Sequence, residues 1–160
     1  MQSLYWVKTM DNKKYLEKIL PHKKPMILID DIVKYSLEDN WLESIVTISE
    51  TSLFYDKNIE GISSIVGIEY MAQTIGCYAF LKRKQEKPHI GFLLGTRLYN
   101  NSVQKFSLGK TYTIKVVEIF TDNSLFSFDC FIYDENNEEI ASAMINVYQD
   151  ENSNEVLING

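Results

Sequence analysis

The chain has 160 residues and a mass of 18.6 kDa, enough for one domain with a sizeable apolar core. Its formal net charge of −6 and its pI near 4.9 argue against nucleic acid as a partner. No apolar run approaches the ~20 residues of a membrane-spanning helix, and the first residues lack the pattern of a secretory signal. Cys77 and Cys130 lie in apolar stretches without metal-ligand spacing, which predicts two reduced core residues. We therefore expect a cytoplasmic protein without a membrane segment.

The first third of the chain is predicted to form a short helix and two strands. The segment "MDNKKYLEKIL" (residues 10–20) has a narrow apolar stripe, and Pro21 should end the helix. The segments "MILIDDIVKY" (residues 26–35) and "WLESIVTIS" (residues 41–49) are rich in β-branched residues, which favour strands. Residues 50–63 form a polar loop before the next element.

The longest predicted element is a helix over residues 66–81, "VGIEYMAQTIGCYAFL", which is apolar on nearly every side. Ser63 or Ser64 could cap its start. Beyond the loop "KPHIG", strand-like segments follow one another with turn-like breaks between them. These four predicted strands cover residues 91–100, 110–120, 124–134 and 138–149. Residues 1–150 are predicted to form a single domain, and residues 151–160 a flexible tail.

The order of these elements restricts the fold class. One helix cannot cover both faces of a six-stranded sheet, so a doubly wound α/β fold is disfavoured. An antiparallel sheet of five to six strands that wraps around the single central helix fits the order, and it explains why this helix is apolar almost all round. The predicted class is therefore α+β, in the arrangement called the hotdog fold, which usually forms dimers edge to edge.

Two polar residues, Glu69 and Gln73, lie one turn apart inside the apolar helix. A carboxylate among apolar neighbours is costly unless it is paired, so we expect the pKa of Glu69 to be raised. Gln73, at position i+4, could orient the carboxyl group by a hydrogen bond. The residues alone leave two interpretations open: Glu69 reaches solvent at a helix edge, or it performs acid–base chemistry in a cleft.

Three separated segments resemble the hotdog 3-hydroxyacyl-ACP dehydratases of fatty-acid synthesis. The segment "LPHKKPMILIDDIV" is similar to their opening "LPHRxPFLLVDRV", and "GIEYMAQTIG" is similar to their central-helix segment "IEAMAQ". The segment "GFLLGTRLYNNSVQKFSLGKTYTI" resembles the strand and hairpin that follow in that family. Together with "ASAMINVYQ", the helix and the segment after it are most similar to the ApeP-type dehydratases of gene clusters for aryl-polyene pigments.

The resemblance implies a reaction and a site. In that family a carboxyl group on the central helix and a histidine of the partner subunit remove water from a 3-hydroxyacyl thioester, which gives a trans-2-enoyl thioester. By resemblance, Glu69 is the helix carboxyl group and Gln73 is the family's glutamine, a predicted substrate-binding residue. The backbone N–H groups of Ser64 and Ile65 match the helix start that holds the thioester oxygen. No metal or organic cofactor is implied, because the substrate arrives on the phosphopantetheine of acyl carrier protein.

The sequence departs from the family at the catalytic histidine. The family carries it in "GHFPGxP" before the helix, and the corresponding residues 55–64 contain no histidine. The chain has two histidines, His22 and His89. His22 belongs to the matched segment "LPHKKP", which lies near the family's active-site tunnel. We predict it as the catalytic base, with a helix-terminal residue that bonds backbone carbonyls as the alternative. His89 matches no functional position and is predicted to be exposed or structural.

Three hypotheses follow. In the first, a homodimer dehydrates 3-hydroxyacyl-ACP with Glu69 and His22; in the second, the chain supplies Glu69 to a heterodimer whose second hotdog dehydratase carries the histidine. In the third, the chain is a non-catalytic subunit that binds acyl-ACP or scaffolds a partner, and an acyl thioesterase is a further alternative on this fold. Catalysis would serve fatty-acid, polyene or polyketide synthesis. We expect the acyl chain in an apolar tunnel beside the helix, lined by residues such as Ile27, Ile65 and Met71.

Positive charge is locally dense at two places along the chain. These residues could steer the docking of an acidic carrier protein: Lys23, Lys24, Lys82, Arg83 and Lys84. For the second cluster, the alternative is that its side chains complement the negative end of the helix macrodipole. The two interpretations are compatible with each other.

Overall fold

Nine β-strands and two α-helices are found among the residues that the computed structural model describes, which are 5–6, 12–84 and 92–149. The helices are α1 (Asn12–Ile19) and α2 (Gly67–Lys82), and a 3-10 helix (Ser64–Val66) leads directly into α2. The strands are β1 (Tyr5–Trp6), β2 (Asp31–Ser36), β3 (Trp41–Thr47), β4 (Gly61–Ser63), β5 (Phe92–Asn101), β6 (Lys105–Ser107), β7 (Thr111–Asp122), β8 (Leu125–Tyr133) and β9 (Glu139–Tyr148).

Seven of these strands form one antiparallel sheet in the order β1-β2-β3-β7-β8-β9-β5. At its centre β7 pairs with β3 and β8, so that Val116 stands opposite Leu42 on one side and Cys130 on the other. Buried and half-buried residues alternate along these three strands, because successive side chains of a strand point to opposite faces of the sheet. β5 follows α2 and pairs with the last strand, β9, which puts β5 at the end of the strand order.

The helix α2 packs against the sheet, with most of its contacts to β3 and β7. The ring of Tyr78 meets Phe128 of β8 edge-on, with 5.6 Å between the ring centroids. The hydroxyl groups of Ser44 and Thr74 lie 2.7 Å apart and join β3 to α2 inside the core. Burial of α2 on several sides explains why its sequence carries almost no polar face.

A second, two-stranded sheet lies just before α2, where β4 pairs with β6. The sequence predicts loop and turn for both segments, because strands of three residues are too short for an alternating pattern to be recognised. Gly61 permits this pairing, since a Cβ atom at that position would lie 2.4 Å from the carbonyl oxygen of Phe106. The small sheet therefore fixes the chain that enters α2.

The predicted α+β hotdog arrangement is confirmed, with six strands of six or more residues and the two-residue β1 at the sheet edge. The segment predicted as a strand over residues 26–35 becomes a strand only at Asp31. Both cysteines are buried and free, as predicted. In the part of the chain that the structure describes, no helix is long and apolar enough to cross a membrane. His89 and the predicted tail, residues 151–160, lie outside the described residues.

Candidate functional site

A cavity of about 170 Å³ runs along one face of α2. The residues that α2 and the position after it contribute to the wall lie on one face of the helix: Glu69, Ala72, Ile75, Gly76, Ala79 and Arg83. The segment after α1 contributes Leu20, Pro21 and His22, and the ends of the long hairpin contribute Phe126, Phe128, Val147 and Gln149. The wall is mostly apolar along its middle and carries ionisable side chains at both ends.

Glu69 and His22 form a pair at the end of the cavity nearest the start of α2. Glu69 lies in the first turn of α2, and His22 follows α1 by three residues. His22 Nε2 is 3.5 Å from Glu69 Oε1, and the two side chains are 33% and 42% exposed. Although 47 positions separate them in the sequence, both groups come from one chain, so the structure brings the predicted acid and base together without a second subunit.

Gln73 holds the carboxyl group of Glu69 and ties α2 to the preceding segment. Its amide nitrogen donates to Glu69 Oε1 at 3.2 Å and to the carbonyl oxygen of Met26 at 2.8 Å. Its amide oxygen accepts the backbone N–H of Leu28 at 2.9 Å. The predicted hydrogen bond to Glu69 is therefore confirmed. Gln73 is buried and its amide is engaged on both sides, which suits a role in positioning Glu69.

The pKa of Glu69 is lowered from its ordinary value of 4.5, so the prediction of a raised pKa is wrong. The largest cause is the hydrogen bond from His22, which favours the ionised carboxylate and outweighs the opposing effect of burial. The hydrogen bond from Gln73 lowers the pKa of Glu69 further. The apolar neighbours along α2 predict a raised pKa, but the donor that reverses the shift, His22, comes from a segment that is distant in the sequence.

The start of α2 is held by backbone contacts rather than by a serine cap. Neither Ser63 nor Ser64 makes a side-chain cap hydrogen bond, which corrects that prediction. The N–H of Ser64 donates to the carbonyl oxygen of Gln104 at 3.0 Å, and the carbonyl oxygen of Ser64 accepts the hydroxyl group of Tyr99. The N–H of Ser64 is thus already engaged in a hydrogen bond. Ile65 lies one turn before Glu69, and its side chain is 61% exposed.

The predicted basic residues divide into two groups. Lys82 donates to the carbonyl oxygen of Leu37 at 2.6 Å and to Asn40 Oδ1 at 2.9 Å. Arg83 packs over the ring of Phe126 and pairs with Glu118, so both side chains are folded onto the protein at the end of α2. This arrangement favours the macrodipole interpretation for these two residues.

The remaining basic residues are exposed: Lys23, Lys24 and Lys84. Lys23 and Lys24 belong to the segment that follows His22, next to the Glu69–His22 pair, and Lys84 follows the end of α2. Their predicted contact with a carrier protein stays a prediction.

The cavity wall differs from the predicted tunnel. Met71 is fully buried in the core, and Ile27 lines a separate cavity of about 460 Å³ together with Lys24 and Asp30. The small residues Ala72, Gly76 and Ala79 were not singled out from the sequence, although their spacing of three and four positions was the available signal. The residues that distant strands contribute to the cavity wall cannot be identified from spacing along the sequence.

Comparisons with known proteins agree with this fold. The sequence model of the ApeP-like family, described as ApeP dehydratase, matches residues 14–158. The chain is similar to the dehydratase heterocomplex ApeI:P from Xenorhabdus doucetiae, with 27% identity, a TM-score of 0.76, and coverage of 86% of this chain and 91% of that one. No curated protein gives a significant match.

Two more distant structures share the fold. A thioesterase from Haemophilus influenzae has 12% identity and a TM-score of 0.65 over 91% of this chain and 94% of its own. A Streptococcus mutans protein bound to acetyl CoA has 12% identity and a TM-score of 0.58 over 81% of this chain and 96% of its own. At this identity the likeness concerns the fold alone.

Proposed function

The chain belongs to the ApeP-like dehydratase family, and from this we propose that it is a 3-hydroxyacyl-ACP dehydratase, or the catalytic subunit of a heterodimeric one. The observation that carries the proposal is the pair formed by His22 Nε2 and Glu69 Oε1, 3.5 Å apart at one end of the apolar cavity. An acyl chain in the cavity would bring its thioester end to this pair.

His22 is the proposed base. Glu69 Oε1 accepts from Nε2, which leaves the lone pair of a neutral imidazole on Nδ1. Nδ1 is buried, and the structure records no hydrogen-bond partner for it among the described residues. In the proposed step this nitrogen takes the α-proton, the C–O bond at the β-carbon breaks, and the electron pair of the C–H bond becomes the new double bond.

Glu69 acts as a carboxylate in this scheme. Its lowered pKa keeps it ionised at neutral pH, so that it stabilises the imidazolium that forms when His22 accepts the proton. The same proton then leaves with the departing hydroxyl group as water, passed on by the histidine or relayed through the carboxylate. Gln73 fixes the position of Glu69, and the N–H of Ile65 is the proposed donor to the thioester oxygen.

The proposed substrate arrives on the phosphopantetheine arm of an acidic acyl carrier protein. Lys23 and Lys24, which are exposed beside the catalytic pair, are the proposed docking residues, with Lys84 as a further contact. No metal or organic cofactor takes part in the proposed reaction.

Two observations bear on the choice between a homodimer and a heterodimer. A complete pair within one chain supports a protein that needs no histidine from a partner. The similar structure, described as the ApeI:P dehydratase heterocomplex, supports assembly with a second hotdog dehydratase. We propose that the chain carries its own acid–base pair in either assembly.

The test is product analysis with the purified chain and a 3-hydroxyacyl-ACP, followed by mass spectrometry. We expect loss of water to give the enoyl thioester, with His22→Ala inactive. Activity that appears only after mixing with a second hotdog dehydratase, and that persists with His22→Ala, would assign the base to the partner. Release of free acid would identify a thioesterase. Binding of a non-hydrolysable acyl-pantetheine without turnover in any assembly would identify a non-catalytic subunit.

A further inference from the structure

The end of the cavity farthest from the catalytic pair is polar. Arg83 directly follows α2, and its guanidinium carbon lies 3.9 Å from the ring centroid of Phe126. Arg83 Nη2 is 3.5 Å from Glu118 Oε2, and the two side chains are 21% and 14% exposed. Gln149, which is also buried, lies in the same part of the wall. We call this group of four residues the remote wall; Arg83, Phe126 and Gln149 line the cavity, and Glu118 pairs with Arg83.

The remote wall lies at the opposite end of α2 from the Glu69–His22 pair. Glu69 and Arg83 are 14 positions apart, which corresponds to about 21 Å along a helix with a rise of 1.5 Å per residue. Between them the α2 side of the cavity presents only apolar residues, which are Ala72, Ile75, Gly76 and Ala79. A Cβ atom at Gly76 would lie 2.9 Å from Cδ2 of Leu20, so a larger residue there would displace the Leu20 side chain. A narrow apolar passage thus connects two polar ends.

The remote wall would discriminate between acyl chains by their far ends. A terminal methyl group pressed against a guanidinium displaces water from charged N–H groups and gives no hydrogen bond in return. A guanidinium has five N–H donors, more than the two oxygens of Glu118 can fully use, so Arg83 can keep its ion pair and still donate to a ligand. A second carboxylate would be repelled by Glu118.

From this geometry we propose that the remote wall selects long acyl chains whose far end carries a neutral hydrogen-bond acceptor, such as a hydroxyl or ether oxygen, through donation from Arg83. The proposal rests on the proposed function for the position of the thioester end. It deepens that function by naming the class of acyl chain, and it makes Arg83 a specificity-determining residue rather than a docking residue.

The test measures binding separately from turnover. The probes are acyl-pantetheine amides without the 3-hydroxyl group, which cannot be dehydrated, in matched lengths that end in a methyl, a hydroxyl or a carboxylate group. For chains that reach the remote wall, we expect the hydroxyl end to bind about tenfold more tightly than the methyl end, and the carboxylate end to bind most weakly. Shorter chains should lose the preference.

Variants assign the effect to Arg83. Arg83→Met should reduce the hydroxyl-to-methyl ratio to about one, and Arg83→Lys, which keeps the charge without the planar fork, should restore part of it. Glu118→Gln should improve binding of the carboxylate end. Arg97→Met is the matched control, because Arg97 is exposed on β5, and it should leave the ratio unchanged. Melting temperatures of all variants identify any that fail to fold.

Several outcomes would overturn the proposal: equal or tighter binding of the methyl end by the wild type, an unchanged ratio in both Arg83 variants, or no binding of any probe. Its failure is distinguishable from failure of the proposed function. A hydroxyl preference without dehydration of 3-hydroxyacyl-ACP would refute the dehydratase and leave the remote wall intact. Dehydration without any end-group preference would support the dehydratase and refute the proposed role of the remote wall.

Discussion

A nitrogen–oxygen pair stands at each end of the cavity face of α2, and in our proposals the first pair performs chemistry while the second recognises the far end of the acyl chain. His22 and Glu69 at the start, and Arg83 and Glu118 at the end, have the same nitrogen–oxygen distance of 3.5 Å. The side chains of the first pair are about a third or more exposed, whereas those of the second are mostly buried. Distance alone therefore does not distinguish the two pairs.

The pairs differ in whether they can exchange a proton. Histidine is the side chain whose unperturbed pKa lies in the physiological range, whereas a guanidinium stays charged at any pH at which proteins remain folded. The pair at the start of α2 is thus suited to move a proton during a reaction, and the pair at the end is suited to hold a fixed charge. The helix macrodipole favours this order, with Glu69 in the first turn and Lys82 in the last.

Removing the carboxylate of the first pair should have the largest effect on activity. Glu69→Gln keeps the shape and a hydrogen-bonding group but cannot stabilise the imidazolium. We expect the rate of enoyl-ACP formation to fall by about 10²- to 10⁴-fold, the range typical of acid–base residues. The melting temperature should change little, because a half-exposed contact between a carboxylate and its hydrogen-bond donors contributes weakly to stability. Both are measured on the purified protein.

The matched control is Glu50→Gln, since Glu50 is exposed in the loop after β3. It should leave the rate within about twofold of the wild type. A normal rate in Glu69→Gln, or an equal loss in the control, would remove Glu69 from the mechanism.

Combining both substitutions of the first pair sharpens the comparison. Residues that act as one unit in catalysis give non-additive losses. His22→Asn alone should lower the rate about as much as Glu69→Gln, and the double variant should be less than about tenfold slower than either single variant. Steady-state kinetics of the four proteins completes the cycle. Fully multiplicative losses would mean that the two groups act independently in spite of their contact.

Blocking the passage between the pairs should have a smaller effect that depends on chain length. Ala79 lines the cavity between Gly76 and Arg83, and Ala79→Leu fills space there. We expect kcat/KM for long 3-hydroxyacyl chains to fall about tenfold, while chains too short to reach Ala79 keep their rate, because the catalytic pair is unaffected. Ala79→Ser, which adds little volume, is the control. A uniform loss for all chain lengths would indicate damage to the fold instead.

The elements were largely predictable from the sequence because their periodicity is local. Consecutive residues show both the alternation along β7 and β8 and the long apolar run of α2. These two patterns suffice to predict an antiparallel sheet around one helix. The strands β4 and β6 were missed, since three residues give no period to detect. Residues 26–30 resemble a strand in composition, but Gln73 bonds this segment to α2 instead.

The site was predictable only as far as single residues stand out. Glu69 is conspicuous because a carboxylate interrupts an apolar helix, and His22 because of the motif around it. Their contact, and hence the sign of the pKa shift of Glu69, depends on how α1 and the segment after it fold back onto α2. The remote wall depends on Phe126 and Gln149, which reach α2 from the far end of the chain. No local pattern encodes such contacts.

The pH dependence of stability is the smallest expected effect and tests the first pair directly. The pKa of Glu69 lies below its ordinary value of 4.5 in the folded protein because His22 and Gln73 donate to it. A carboxyl group with a depressed folded pKa stabilises the protein above its unfolded pKa, and this contribution is lost as the pH falls through the folded pKa. The difference in the free energy of unfolding between wild type and Glu69→Gln should therefore be constant near pH 5 to 6 and shrink below about pH 4.5. Because the pair is half-exposed, the difference should stay below about 1 kcal/mol. Urea unfolding at several pH values measures it, with Glu50→Gln to correct for the loss of one carboxyl group. A difference that grows on acidification would mean that the carboxyl group of Glu69 is protonated in the folded protein.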